Sequence, residues 1–123
     1  MAFDPALRGE DYCYLTTTGR RTGRPHTIEI WFGMPEDSGP IYLLSGGGDR
    51  SDWVRNLVAD RRVTVRIGRP EAREAAGRAR LVEDHAEDEA ARRLLASKYQ
   101  RWDRSRPMSS WARTSLTVAV DPA

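Results

Sequence analysis

Two short loops carry the residues best suited to binding chemistry. One reads Gly19-Arg20-Arg21-Thr22-Gly23-Arg24-Pro25, the other Ser45-Gly46-Gly47-Gly48-Asp49-Arg50-Ser51. Arginine offers a planar, permanently charged fork that matches phosphate and carboxylate. Glycine lets the backbone approach a ligand closely and take up positive φ. The second loop leads into the amphipathic stretch Asp52-Trp53-Val54-Arg55-Asn56-Leu57. A helix starting there adds free N–H groups and a partial positive charge. An anionic, phosphorylated ligand is what such loops would hold. The same residues also suit two ordinary turns, one in a hairpin and one between strand and helix.

Other chemistry is thin. His26 and His85 are the only histidines and stand far apart, so no metal site is expected. There is no G-x-S-x-G element for a serine hydrolase. Gly46, Gly48 and Ser51 give G-x-G-x-x-S, but the strand that follows ends in Arg66-Ile67-Gly68 rather than in an acidic ribose ligand. That speaks against a dinucleotide fold. A P-loop would need Gly-Lys-Ser/Thr, which is absent. The acids at 83–89 read as a solvated helix start rather than paired catalytic carboxylates. If the chain is an enzyme, a cofactor should carry its reaction.

The elements that must position these loops follow from periodicity. Residues 12–18 read as a Tyr/Thr-rich strand and 25–32 as a second. In the second, Ile28, Ile30 and Phe32 share one face, with Thr27, Glu29 and Trp31 on the other. A turn is expected over 33–40 and a short apolar strand over 41–44. The helix over 51–59 should bury Trp53, Val54, Leu57 and Val58. Val63, Val65 and Ile67 alternate with arginine and threonine as in a half-buried strand. Residues 72–82 form a weaker strand, and 86–102 a helix introduced by Asp84 and Glu87, with Ala91, Leu95, Lys98 or Tyr99, and Trp102 along one face. Residues 104–110 look irregular, and Leu116, Val118 and Val120 mark a last strand. Six strands and two helices in this order predict a mainly β, α+β fold: a closed or nearly closed antiparallel barrel with flanking helices.

With 123 residues, a single domain over 1–123 is expected, with 1–9 as a flexible N-terminal segment. The 39% hydrophobic content supports a folded chain, and 20 basic against 18 acidic residues leave a charge of only +2. Interspersed charge of this kind is no nucleic-acid footprint. All but one of the basic residues are arginine, Lys98 being the exception. The lone Cys13 excludes an intrachain disulfide. No apolar run reaches membrane-spanning length, and the early charges Asp4, Arg8, Glu10 and Asp11 do not make a signal-peptide core. A cytoplasmic protein, monomer or homodimer, is the expectation.

The run from Tyr14 to Pro25 resembles the leading motif of the deazaflavin-dependent nitroreductase family. Ser45-Gly46-Gly47-Gly48, followed by Trp53, Asn56 and Leu57, resembles its second motif, in the same order and at similar spacing. The resemblance implies a split β-barrel of the FMN-binding kind and coenzyme F420, a phosphorylated 8-hydroxy-5-deazaflavin with an oligoglutamate tail. It implies that Arg20, Arg21, Thr22 and Arg24 grip the phosphate and acidic tail. Ser45, Gly46, Gly47 and Gly48 would lie along the deazaflavin, with Gly47 at a position that tolerates no side chain. Trp53 and Asn56 would support that segment. The chain departs from the family at His26, often arginine there, and at Asp49-Arg50-Ser51-Asp52, where a basic, proline-containing stretch is usual.

The implied reaction is hydride transfer from reduced F420 to an activated alkene, quinone or nitro compound, with Tyr99 as a candidate proton donor or a packing residue. FMN in the same barrel, or a non-enzymatic cofactor carrier, are the alternatives.

Overall fold

The computed structural model describes residues 2–37 and 39–123. Met1, in the expected N-terminal segment, and Ser38, in the expected 33–40 turn, lie outside them. Among the described residues six strands form one antiparallel sheet: β1 (Cys13–Thr18), β2 (Pro25–Ile30), β3 (Ile41–Ser45), β4 (Arg62–Ile67), β5 (Ala75–Leu81) and β6 (Leu116–Pro122). Their spatial order is β2-β1-β4-β5-β6-β3. The register places Cys13 opposite Ile30 on one side and Ile67 on the other. At the far side Ala79 faces Val120, and Leu43 faces Val118. The sheet curls so that its two ends meet. Just beyond β2, Gly33 bridges to Tyr42 of β3 through bonds of 2.9 and 2.8 Å. This is the split β-barrel.

Alternation decides what faces inward. Cys13, Leu15 and Thr17 of β1 and Val63, Val65 and Ile67 of β4 are buried, while the residues between them are wetter. Side chains two apart share a face. The interior is Leu15, Phe32, Ile41, Leu43, Val65, Val118 and Val120 with their neighbours. Strands β3 and β6 are buried on both faces because α2 (His85–Gln100) covers their outer side. There Ala91 and Leu95 meet Tyr42, Leu44 and Ala119. Asp84 caps α2 by accepting from the Glu87 N–H, as the sequence suggested.

Helix α1 (Asp52–Ala59) crosses from β3 to β4. It buries Val54 and Leu57 as expected, but Val58 is 47% exposed and the third buried residue is Asn56. The stretch after α2 is irregular up to a short helix, α3 (Ser110–Thr114), that periodicity did not show. Ser109 caps it by accepting from the Ala112 N–H.

Residues 3–8 of the expected N-terminal segment make defined contacts. Phe3 is buried in the core, and Leu7 packs against it. Arg8 donates through Nε and Nη2 to the carbonyls of Met34 and Pro35, and Lys98 Nζ donates to the Arg8 carbonyl. Phe3, Leu7 and Arg8, together with Lys98 of α2, hold it against the barrel.

The acids at the start of α2 also depart from expectation. Glu87 is not merely solvated: it takes a two-pronged bond from Arg80 of β5 at 2.8 and 2.7 Å and a third from the Tyr42 hydroxyl at 2.7 Å. Arg80 reaches on to Asp121 at 2.8 Å. The arginine holds the Glu87 carboxyl at a pKa of about 2. Burial, then the Glu87 bond, raises that of Tyr42.

Candidate functional site

The basic loop is a tight hairpin connection between β1 and β2. Gly19 donates to the Arg24 carbonyl at 2.7 Å and Gly23 to the Gly19 carbonyl at 2.8 Å. Gly23 has φ 74°, the left-handed region that glycine favours. The loop leans on α1. Arg20 donates from its backbone N and from Nη1 to Asn56 Oδ1, at 3.2 and 2.8 Å. Its Nη2 meets Asp52 Oδ1 at 3.1 Å. The Asn56 amide donates in turn to Thr17 Oγ1 of β1 at 3.3 Å. Gly19, Arg20, Arg21, Thr22, His26, Asp52 and Asn56 line an open cleft of about 230 Å³.

The glycine loop ends at the same helix. Ser45, buried at the end of β3, donates from Oγ to the Gly48 carbonyl at 2.9 Å and lies 2.9 Å from Ser51 Oγ. Asp52, which pairs with Arg20, follows Ser51 directly, so the first turn of α1 brings both loops onto one rim. Gly46 and Gly47 are exposed backbone. A Cβ on Gly46 would lie 3.7 Å from Trp111 Cδ1. Trp111 meets Trp31 edge to face at 5.3 Å, and Trp31 stacks on Tyr99 at 4.3 Å. An aromatic wall therefore borders the glycine backbone.

The structure thus gathers Arg20, Arg21, Thr22 and Asn56 around one cleft, with Ser45, Gly46, Gly47 and Gly48 beside it. Arg24 belongs to the same loop but not to the cleft lining. Trp53 packs half-buried against the barrel core. Sequence reasoning did not foresee that Arg20 would be engaged by Asp52 and Asn56. Nor did it foresee the Trp31–Trp111 wall; its signals were a tryptophan on the polar face of the second strand and another in an Arg/Ser-rich stretch.

At Gly47 and Tyr99 the local geometry has causes that the sequence does not show. Gly47 has φ −80°, open to any residue. A Cβ there would stand 2.5 Å from Ser51 Oγ, so the space at Gly47 is claimed by the loop's own serine. Positive φ falls instead on Gly48, at 62°. Tyr99, the candidate proton donor, has its hydroxyl occupied by backbone. It accepts from the Phe32 N–H at 3.0 Å and has the carbonyls of Asp11 at 2.8 Å and Phe32 at 3.0 Å as acceptors. Burial pushes its pKa up to about 12. These contacts make Tyr99 an anchor between α2 and the strand ends.

The residues present suit a phosphorylated ring with an acidic tail. The guanidinium groups of Arg21 and Arg24 are exposed and have no partner among the described residues. The exposed Gly46–Gly47 backbone leaves room for a flat group beside Trp111. Among the described residues no three His, Cys, Asp or Glu gather where they could hold a metal, and no helix is long and apolar enough to cross a membrane.

Comparison with known proteins bears on the fold and the family. The conserved hypothetical protein Rv2991 of Mycobacterium tuberculosis is 16% identical, with a TM-score of 0.72 over 96% of this chain and 77% of that one. An F420 reductase is 17% identical, with a TM-score of 0.64 over 96% of this chain and 91% of that one. A FAD-binding protein from Mesorhizobium loti is 14% identical, with a TM-score of 0.65 over 95% of this chain and 84% of that one. At such identities the likeness shows the fold. No curated protein matches the chain in sequence. The model of the F420H(2)-dependent quinone reductase family matches residues 4–122. The chain belongs to that family.

Proposed function

We propose that the chain binds F420 across the rim formed by its two loops and reduces an electron-poor small molecule. A quinone is the first candidate, followed by activated alkenes and nitro compounds. The observation that carries this reading is the joining of the arginine loop and the exposed glycine backbone by the first turn of α1. Reduced F420, when bound, supplies the hydride. Arg21 and Arg24 neutralise the phosphate and acidic tail, and the Thr22 hydroxyl and the loop amides add donors. The Gly46–Gly47 backbone gives a flat group a surface without side chains. Ser45 holds that backbone in place by gripping Gly48 and Ser51, and Trp53 fixes α1 behind it. Trp31 and Trp111 bound the glycine end and keep water from that side, which helps to align two planar reactants. With the Tyr99 hydroxyl committed to backbone, we assign it no proton transfer. The single buried, unpaired cysteine fits a reducing cytoplasmic setting.

The test is a side-by-side titration of the protein with F420 and FMN, followed by turnover of reduced F420 with a simple quinone. F420 should bind and the quinone should be consumed. Replacing Arg21 and Arg24 together by alanine should weaken F420 binding at least tenfold, since one charged hydrogen bond is typically worth about 1.5–3 kcal/mol and tenfold is about 1.4. Added salt should weaken binding too. Preference for FMN would overturn the cofactor assignment, and tight F420 binding without turnover would make the protein a carrier.

A further inference from the structure

Arg20 has two partners of opposite character. Asn56 is 4% exposed, and its amide is held at both ends, by Arg20 and by Thr17. Asp52 meets the same guanidinium from the solvent side, with its side chain 86% exposed against 23% for Arg20. A buried amide that lost its partner would be left unsatisfied, which is costly. An exposed ion pair holds only weakly, because water and salt replace either partner. Asp52 also lines the cleft that Arg21 and Thr22 share, so any anion entering there meets a carboxylate already seated on Arg20.

We propose that Asp52 is a displaceable counter-anion. A phosphate group entering the cleft takes over Arg20 Nη2 from Asp52, while Asn56 keeps Nη1 and so keeps the guanidinium aimed. Asp52 then sets how strong an acceptor must be to be held. A phosphate group that Arg20 and Arg21 hold together displaces it, and a lone carboxylate, its own chemical equal, gains little. Asn56 is a positioning residue and Asp52 a specificity-determining one. The inference rests on the reading that the arginine loop receives the anionic end of the cofactor.

The exchange predicts effects of opposite sign. Inorganic pyrophosphate is titrated into the wild type, Asp52→Asn and Asn56→Ala and followed by NMR at the Arg20 Nε–H. F420 is titrated into the same three proteins by calorimetry. Asp52→Asn should bind pyrophosphate about threefold tighter, the worth of one exposed pair, and acetate should compete no better than weakly with pyrophosphate in the wild type. Asn56→Ala should bind about threefold weaker or worse. Unchanged or weaker pyrophosphate binding by Asp52→Asn overturns the proposal, as does a titration in which Arg20 does not respond. Asp52 lies on the surface, so this variant decides the matter even if Asn56→Ala fails to fold. If F420 binds none of the three while pyrophosphate follows the expected order, the cofactor reading falls and the exchange stands. If both ligands bind wild type and Asp52→Asn alike, the exchange falls and the cofactor reading stands.

Discussion

Gly46, Gly47 and Gly48 are adjacent and do three different things. Gly46 faces open space beside Trp111, Gly47 leaves room for the Ser51 hydroxyl, and Gly48 takes the left-handed backbone at φ 62°. Gly46→Ala should therefore leave the unliganded protein within about 0.5 kcal/mol of wild-type stability. Gly48→Ala should cost about 1 kcal/mol, because a Cβ is disfavoured in that region. Urea unfolding of the two variants measures both. With stability unchanged, any loss of F420 affinity in Gly46→Ala reports a filled ligand site, and equal destabilisation of both variants would contradict this division. The sequence shows that a glycine run exists. It does not show which glycine serves the turn, because that depends on Ser51 folding back onto Ser45. Tyr99 is similar: its place on the inner face of α2 was legible from spacing, but its hydroxyl's backbone partners lie far away at Asp11 and Phe32.

The helices are fixed to the barrel by polar contacts as much as by apolar ones. In α1 the buried arc runs from Asn56, which meets the arginine loop, through Leu57 to Val54, and Val58 falls just past that edge. A stripe drawn from apolar residues alone could not include an asparagine. In α2 the cap at Asp84 is local and was legible, whereas Glu87's partners Arg80 and Tyr42, and the Asp121 that holds Arg80 in turn, come from three different strands. Glu87→Gln should lower stability by about 2 kcal/mol, since it weakens a charged two-pronged bond and leaves Arg80 with Asp121 alone. The pH dependence follows from the lowered pKa of about 2. Glu87 stabilises the fold in full above the ordinary carboxylate range, and the contribution is lost as pH falls toward 2. Thermal unfolding between pH 6 and 2 should show the wild type losing more stability than Glu87→Gln. Parallel curves would mean that other carboxylates carry the acid sensitivity.

The six strands and their chain order could be read from alternation, because each strand is half-buried or bounded by turn residues. A closed or nearly closed barrel was expected too, but the place of closure could not be read, because it depends on a bridge between non-adjacent segments and on how closely α2 sits against it. Gly33 is where these meet. Its N–H and carbonyl pair with Tyr42, and a Cβ there would stand 2.8 Å from both Leu94 Cδ2 and Leu95 Cδ1. Leu95 is fully buried and has no free space to yield, while Leu94 is only partly buried. Gly33→Ala should therefore destabilise the protein by about 1–3 kcal/mol through overpacking. Leu94→Ala makes room on one side at the cost of lost burial. If close approach of α2 to the bridge is what Gly33 provides, the double variant should be more stable than the sum of the two losses predicts, by at least about 0.5 kcal/mol. Urea unfolding of the four proteins gives the cycle. Strict additivity would mean that Gly33 serves the bridge through its backbone alone, and that α2 is set by the Arg80–Glu87 tether and by Tyr99 rather than by contact at the seam.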